Sequence, residues 1–306
     1  MKNKRGKKLA MTEADFKAEY EQLKEGQFLE ALDIANRAST THGGYQHYTS
    51  VSKFCKMVKC KSMWLSRLDS PSLNDLHEAN KYGRDWRRMY VGCFSYGRSE
   101  NALLWKMYCK PNRDAIRVLI SQEGMKRFKE YLQNAANVEA HHVVKRDDRF
   151  VLSPRRAALV HGGVFDVLYA AVKDCKLGCE RCNDLMWNSC HLHIPELEDV
   201  IKVKAMEGFF KDCEWRGEQE TRIFVKTSNV SSSAERLAIR IPDEVLNSMS
   251  IVLSPWADTA HCVDVTKRLE RLFAEQGLKV PRIRRSYLTG ALDSWEKNVR
   301  KGQRKR

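Results

Sequence analysis

Residues 45–66 read YQHYTSVSKFCKMVKCKSMWLS, and this stretch predicts a strand, a helix and a second strand. Aromatic and β-branched residues among its first five positions are typical of a strand. Ser50 can accept a backbone hydrogen bond at the start of a helix, which we expect to run to about Lys59. The closing letters SMWLS have strand character again. Short strands and helices are therefore expected to alternate from this point of the chain.

The same alternation continues toward the C-terminus. Further strands are expected at 90–95, 116–120, 150–152, 221–226, 236–241, 251–254 and 279–284. Helices are expected at 103–108, at 163–187, from 196 to 210 and from 259 to 276. These elements predict a mixed α+β fold, a single compact domain with a mixed sheet. We place that domain at 40–295, between a basic tail (1–11) with a helical extension (12–39) and a second basic tail (296–306).

The composition limits the class of protein. The chain has 306 residues, 42% of them hydrophobic and 30% charged, which is enough for a buried core and excludes a disordered or collagen-like chain. No stretch approaches the roughly 18 uncharged apolar residues of a membrane helix, and no apolar signal core follows the N-terminus. We therefore expect a soluble, cytoplasmic protein with no membrane partner.

The net charge of +15 is concentrated at the two ends. Residues 1–8 carry five basic side chains and residues 297–306 carry six, which leaves +4 for the other 288 residues. Such tails can contact phosphates without sequence preference, so nucleic acid is a candidate partner. The alternative is that both tails are only solvated.

Cysteines are concentrated in a segment that we expect to be helical, 175–193. Four thiolates, or three with an imidazole, can enclose a zinc ion. The first three are also spaced as one face of a helix, where buried thiols need no metal. We consider zinc the less favoured interpretation. The candidate ligands are Cys175, Cys179, Cys182 and Cys190.

His47 lies near the junction between the strand expected from Tyr45 and the helix expected after Ser50. A strand end is rigid and a helix start has free backbone donors, so this junction suits hydrogen bonding to a sugar or an amide. A structural histidine, with Ser50 as an ordinary helix cap, is the alternative.

The stretch WRGEQETRIFV at 215–225 places two acids just before the start of an expected strand. If this stretch is extended, Glu218, Glu220 and Arg222 point the same way. One carboxylate can then stabilise a developing sugar cation while the other orients an acceptor or takes its proton. The alternative is a solvated edge at which Arg222 pairs with an acid.

Three common enzyme classes are disfavoured. The chain contains no GxxxxGKS phosphate loop, no GxGxxG fingerprint and no GxSxG elbow. A phosphate-loop ATPase, a Rossmann dehydrogenase and an α/β-hydrolase are therefore not expected.

Five motifs occur together in one order across residues 45–290. They are HYTS, the strand-like MWLS, NDLHE, CFS followed by LLWKMY, and WRGEQETRIF. In this order the chain resembles a bacterial and phage family known as domain of unknown function twenty-nine seventy-one. Leu76 stands where that family usually has proline, Cys93 replaces the first serine of its strand motif, and the family pattern does not explain the cysteine-rich segment.

The motif order also resembles, more weakly, that of NAD-dependent ADP-ribosyltransferases. In those enzymes an early His holds NAD, a Ser supports the site, and the second Glu of a Glu-x-Glu pair stabilises the sugar as nicotinamide leaves. The resemblance implies that Glu220, Glu218 and His47 are catalytic and that Tyr48 stacks on nicotinamide. The residues implied to bind NAD, as substrate, are His47, Tyr48, Thr49, Ser95 and Arg222.

Three classes of function follow from these observations. The first is an ADP-ribosyltransferase-like enzyme, in the manner of a toxin or a phage-defence effector. The second is a nucleic-acid-binding module that uses its basic tails and catalyses no reaction. The third is an interaction protein stabilised by zinc at the cysteine-rich segment.

Overall fold

The structure is a computed structural model. It describes residues 42–70, 87–97, 99–109, 111–146, 149–170, 210–228 and 234–292, together with isolated positions elsewhere. The described positions between 15 and 34 are helical, and the rest of the expected extension at 12–39 lies outside the described residues. The NDLHE motif lies outside them as well.

Strands and helices alternate along most of the described chain. The strands are β1 (Gly44–Ser50), β2 (Ser62–Arg67), β3 (Met89–Tyr96), β4 (Ala115–Ser121), β5 (Ala140–Arg146), β6 (Arg149–Arg156), β7 (Leu159–Asp166), β8 (Leu168–Ala170), β9 (His191–Leu192), β10 (Phe210–Asp212), β11 (Glu220–Thr227), β12 (Arg236–Arg240), β13 (Met249–Leu253) and β14 (Arg282–Arg285). The helices are α1 (Val51–Lys59), α2 (Ala102–Leu104), which continues into a π-turn (Trp105–Cys109), α3 (Gln122–Gln133), α4 (Asp243–Asn247) and α5 (Thr259–Glu275).

The chain divides into two compact units. The first unit comprises residues 1–41, 64–94 and 129–239, and the second comprises residues 42–63, 95–128 and 240–306.

The second unit contains a mixed sheet. Its strands follow the order β14, β13, β4, β1 and the last two residues of β3. β13 and β14 are parallel, whereas β13 with β4, and β4 with β1, are antiparallel. α5 begins at the N-cap Asp258, whose side chain accepts a hydrogen bond from the backbone of His261, and buries one apolar face.

The first unit contains two groups of strands. In the larger group β11 pairs with β3 and β7, and β3, β2, β12, β5 and β6 are neighbours in that order. The buried faces of β11 and β12 include Ile223, Phe224, Leu237 and Ile239. β10, β8 and β9 form a small parallel group, in which β8 is central.

The predicted fold class, mixed α+β with a mixed sheet, is confirmed. The predicted domain boundaries stay a prediction. Among the described helices, none is both long and apolar enough to span a membrane.

One predicted helix is wrong in its described part. Residues 163–170 were expected to begin a helix, but 163–166 complete β7 and Leu168–Ala170 form β8. The apolar run VFDVLYA has no clear period, and pairing of β7 with β11 decides its conformation. The remainder of that predicted helix, and positions 196–209 of the next one, lie outside the described residues.

Candidate active site

A tight turn in the first unit positions the two acids. A 3-10 helix (Cys213–Glu218) ends at Glu218, and β11 begins at Glu220. Gln219 between them has a left-handed backbone with φ of 47°. The condition for all three side chains to point the same way, an extended stretch, is therefore not met at Glu218, because the left-handed residue turns the chain between the two acids.

Both carboxylates nevertheless converge on one ammonium group. The Nζ atom of Lys211, on β10, lies 2.6 Å from Oε2 of Glu218 and 3.3 Å from Oε2 of Glu220. The same Nζ lies 4.5 Å from the ring centroid of Trp215, within the range of a cation–π contact. Lys211 therefore bridges the two acids.

Arg222, two residues after Glu220 on the same face of β11, binds the carboxylate of Glu220. Its Nε donates to Oε1 of Glu220 at 2.7 Å, and its Nη2 lies 3.4 Å from Oε2. The backbone N–H of Glu220 donates to the hydroxyl of Tyr169 at 2.8 Å. An ion pair between Arg222 and an acid was one expected alternative, but the pair is buried and not solvated. We call Lys211, Glu218, Glu220 and Arg222 the acid cluster.

The acid cluster keeps Glu220 ionised. Burial alone would raise the pKa of Glu220, whose residue is 3% exposed, but Arg222 and Lys211 hold that pKa at about 2. Burial alone would lower the pKa of Lys211, but the carboxylates of Glu220 and Glu218 raise it. The site thus holds a fixed carboxylate anion between two cations.

Two neutral groups lie beside this anion. Burial, followed by the charge of Glu220, raises the pKa of the Cys93 thiol well above its usual range. The same two causes raise the pKa of Tyr169. Cys93 and Tyr169 therefore stay protonated next to Glu220, and Cys93 is not a thiolate nucleophile.

The second unit contains the other predicted site residues. Ser50 caps α1 through a hydrogen bond from the backbone N–H of Lys53, as the capping interpretation predicted. Tyr48 is buried, and its ring packs edge-on against Trp105 at 5.0 Å between centroids. Its hydroxyl donates to Gln46 at 3.0 Å and accepts from the backbone of Asn101. Tyr48 is therefore part of the packed core of this unit.

Strand register divides the predicted NAD-binding residues between two faces. Gln46 lies opposite Ser95 in the antiparallel pair of β1 and β3, so their side chains share a face. Tyr48 follows on that face, whereas His47 and Thr49 alternate to the other face and are half-buried. A ligand that binds on one side of this sheet can therefore contact His47 and Thr49, or Ser95, but not all three residues.

The structure does not test the zinc interpretation. Cys175, Cys179, Cys182 and Cys190 lie outside the described residues. Within the described ranges, no group of three or more His, Cys, Asp or Glu side chains is arranged to hold a metal ion.

Sequence reasoning missed Lys211, which contacts both acids. It lies on a strand of three residues, and three residues are too few to show a strand period. The aromatic residues Phe210 and Trp215 on either side of it were the only indication that this basic residue is buried.

No protein-family model matches the chain, so the resemblance to the family of unknown function stays a prediction. No curated protein matches it either.

Solved structures of DarT from Thermus sp. 2.9 are similar to the chain in fold. In complex with carba-NAD+, that protein has 10% identity and a TM-score of 0.32, over 81% of this chain and 96% of that chain. Its NAD+ complex has 9% identity and a TM-score of 0.31 over the same shares. Its complex with ADP-ribosylated ssDNA has 10% identity and a TM-score of 0.30, over 80% and 96%. Identities and TM-scores this low carry no argument about the family or the activity of this chain.

Proposed function

We propose that this chain is an ADP-ribosyltransferase-like enzyme that removes nicotinamide from NAD+ and passes the ADP-ribosyl group to an acceptor. The observation that supports it most is Glu220, a carboxylate with a pKa of about 2 that Arg222 and Lys211 hold in place. A group of this kind is ionised at every physiological pH and needs no reorganisation when positive charge develops beside it.

The proposed first step breaks the bond between the ribose C1′ and the nicotinamide nitrogen. The electron pair of that bond leaves with nicotinamide, and positive charge develops on the ribose. A single preorganised electrostatic group contributes about 3 to 4 kcal/mol to such a transition state. Glu220 is the proposed source of this contribution, and Arg222 is a positioning residue that fixes the orientation of the carboxylate.

In the proposed second step a nucleophilic atom of the acceptor forms a bond to C1′ and loses a proton. Glu218 is the proposed group that orients the acceptor and takes this proton. Lys211 contacts Glu218 at 2.6 Å and so sets the position of this carboxylate too. Both acids therefore depend on the same lysine.

We propose that His47 and Thr49, which share one face of β1, bind NAD+ as the resemblance implies, and that Ser95, on the opposite face, supports the strands behind them. A neutral His47 can hold a ribose hydroxyl without adding repulsive positive charge. Tyr48 and Arg222 have packing and ion-pairing roles, which support the strand and the acid cluster. Solved DarT complexes contain NAD+ and ADP-ribosylated ssDNA, so NAD+ and single-stranded DNA are the first substrate and acceptor to test.

The test compares wild type with Glu220→Gln. Each protein is incubated with NAD+ labelled in the adenine ring, and both nicotinamide release and transfer of label to single-stranded DNA or a lysate are measured. We expect Glu220→Gln to lower the rate by about 100-fold or more, with little effect on NAD+ binding. Glu123→Gln, an exposed acid on α3, is the matched control and should leave the rate unchanged.

Two outcomes would end this proposal. One is the absence of both NAD+ binding and nicotinamide release in the wild type. The other is an unchanged rate in a folded Glu220→Gln protein, because the acid cluster would then be structural. Circular dichroism and thermal unfolding establish that the variant is folded, and Glu220→Asp, which keeps the charge, provides a second variant.

A role as a toxin or defence effector has its own test. If the acceptor is an essential macromolecule, expression of the wild-type chain should arrest growth of a bacterial host, and expression of Glu220→Gln should not. Growth arrest by both proteins would show that toxicity does not depend on the proposed reaction.

A further inference from the structure

Aromatic side chains are exposed on the side of β2, β12, β5 and β6 that faces away from Leu237 and Ile239. Register places Arg236, Val143 and Leu152 on one face, and Lys145 with Phe150 on the same face. Trp64, on β2, joins them because its ring lies 6.0 Å from that of Phe150. We call this surface the outer face, defined by Trp64, Lys145, Phe150, Leu152 and Arg236.

An arginine lies among the rings of the outer face. Cζ of Arg236 is 4.4 Å from the ring centroid of Phe150 and 5.9 Å from that of Trp64. Both rings keep open surface, since Trp64 is 42% exposed and Phe150 is 37% exposed. Leu152 beside them is 50% exposed. Single exposed apolar residues are ordinary, but here two neighbouring rings and a leucine are exposed together, which makes this group a candidate binding surface.

All charged residues within β2, β5, β6 and β12, the strands that form the outer face, are basic. Their sequences SMWLSR, AHHVVKR, RFVLSPRR and RLAIR contain no acidic residue. Strand alternation places Lys145, Arg236 and Arg240 on the outer face, whereas Arg67 lies on the opposite face and pairs with Asp69 at 2.6 Å. The complementary ligand is therefore an anion that also has flat apolar surfaces.

We propose that the outer face binds single-stranded nucleic acid without sequence preference. Exposed bases can stack on Trp64 and Phe150, while Arg236 and Lys145 meet the phosphates. A duplex hides the faces of its bases, so it cannot use the rings in this way. This surface shares no residue with the acid cluster, and the proposal does not depend on the proposed enzymatic activity.

Binding is measured with the full chain and fluorescein-labelled dT15 and rU15 oligonucleotides by fluorescence anisotropy at about 150 mM salt. We expect Trp64→Ala and Phe150→Ala each to weaken binding roughly 5- to 150-fold, as base stacking on an aromatic residue implies. Trp64→Phe, which keeps a ring, should retain most of the affinity. Tyr108→Ala is the matched control, because Tyr108 is 44% exposed and lies in the second unit.

The salt dependence of binding provides a second test, which concerns the charge of Arg236. If Arg236 neutralises one phosphate, Arg236→Gln should reduce the slope of log K against log salt by about 0.7, whereas Arg236→Lys should keep the slope. Arg236→Lys should still weaken binding, because an ammonium group lacks the planar surface of a guanidinium.

Three results would overturn this proposal. One is equal affinity of wild type, Trp64→Ala and Phe150→Ala for the oligonucleotides. Another is an equal loss of affinity in Tyr108→Ala. The third is preference for an acidic peptide such as oligoglutamate that depends on Trp64, which would identify the outer face as a protein-binding surface. Circular dichroism of each variant excludes unfolding as the cause of lost binding.

Discussion

At the scale of single residues, Glu220 is buried and still carries its charge. A lone buried carboxylate would take up a proton, but two cations lie within 3.3 Å of its oxygens. Removing one partner of a buried ion pair is far more destabilising than removing the pair as a whole. The acid cluster should therefore respond strongly to single substitutions.

The low pKa of Glu220 predicts a loss of stability in acid. Its folded pKa of about 2 is below its ordinary value of 4.5, so its stabilisation is complete above about pH 4.5 and is lost as pH falls toward 2. The loss is on the order of 3 kcal/mol. Urea unfolding at pH 7 and pH 3 should show about 2 kcal/mol of this loss in wild type, because pH 3 is still above the folded pKa, and a smaller loss in Glu220→Gln. An equal loss in both proteins would mean that other groups cause it.

Lys211 is predicted to stabilise the fold through both acids. Lys211→Met should lower the free energy of unfolding by about 3 to 5 kcal/mol, because it leaves the carboxylates with less compensating charge. Adding Glu218→Gln should restore part of this loss, since the double variant removes one charge of each sign. Urea unfolding followed by tryptophan fluorescence measures both effects. A loss below about 1 kcal/mol in Lys211→Met would contradict a bridging role.

At the scale of secondary-structure elements, α3 and the end of α4 approach closely at Gly124. A Cβ atom added there would lie 1.9 Å from Oγ and 2.6 Å from Cβ of Ser248. The hydroxyl of Ser248 donates to the backbone carbonyl of Val245 at 2.7 Å, which limits how far this side chain can move. Gly124 is therefore required for packing, although glycine is normally unfavourable inside a helix.

Gly124→Ala is predicted to destabilise the protein by about 1 to 3 kcal/mol, the usual range for overpacking. In an uncrowded helix the same change would stabilise by about 1 kcal/mol. Ser248→Gly should relieve the contact, so the double variant should be more stable than Gly124→Ala alone. Thermal unfolding of wild type, the two single variants and the double variant completes a double-mutant cycle, which measures the interaction between the two positions. A stabilising Gly124→Ala would show that the two helices can separate at no cost.

Elements with their own local signals could be predicted from the sequence. α1 begins after Ser50 and ends at Lys59 as expected, because its cap and its apolar spacing lie within ten residues. α5 matches its predicted span to within one residue. β7 and β8 could not be predicted, because their conformation depends on pairing with β11 and β10, which are distant in sequence.

The candidate site was only partly predictable for the same reason. Glu218, Glu220 and Arg222 are close in sequence, so their proximity could be inferred. The convergence of both acids on Lys211 depends on the left-handed backbone of Gln219, and glutamine gives no signal for that conformation. The packing of Tyr48 against Trp105 depends on a contact between residues that are 57 positions apart.

At the scale of the whole molecule, most of the net charge belongs to the two ends. Deleting residues 1–8 and 297–306 lowers the formal charge from +15 to +4. We expect the shortened protein to leave a heparin column at a clearly lower salt concentration, since fewer counterions are released on binding. Replacing the eleven basic tail residues with glutamine is the control for length. Unchanged elution would mean that the tails do not contact polyanions.

The formal charges of Lys211, Arg222, Glu218 and Glu220 cancel. A group of charges that sums to zero has a field that fades quickly with distance, and salt screens the rest beyond about 8 Å. Such a cluster neither attracts nor repels an approaching ligand, whatever its sign. For the NAD+ that we propose as substrate, the attraction of its diphosphate then comes from basic residues outside the cluster, and the two acids act on it only at short range.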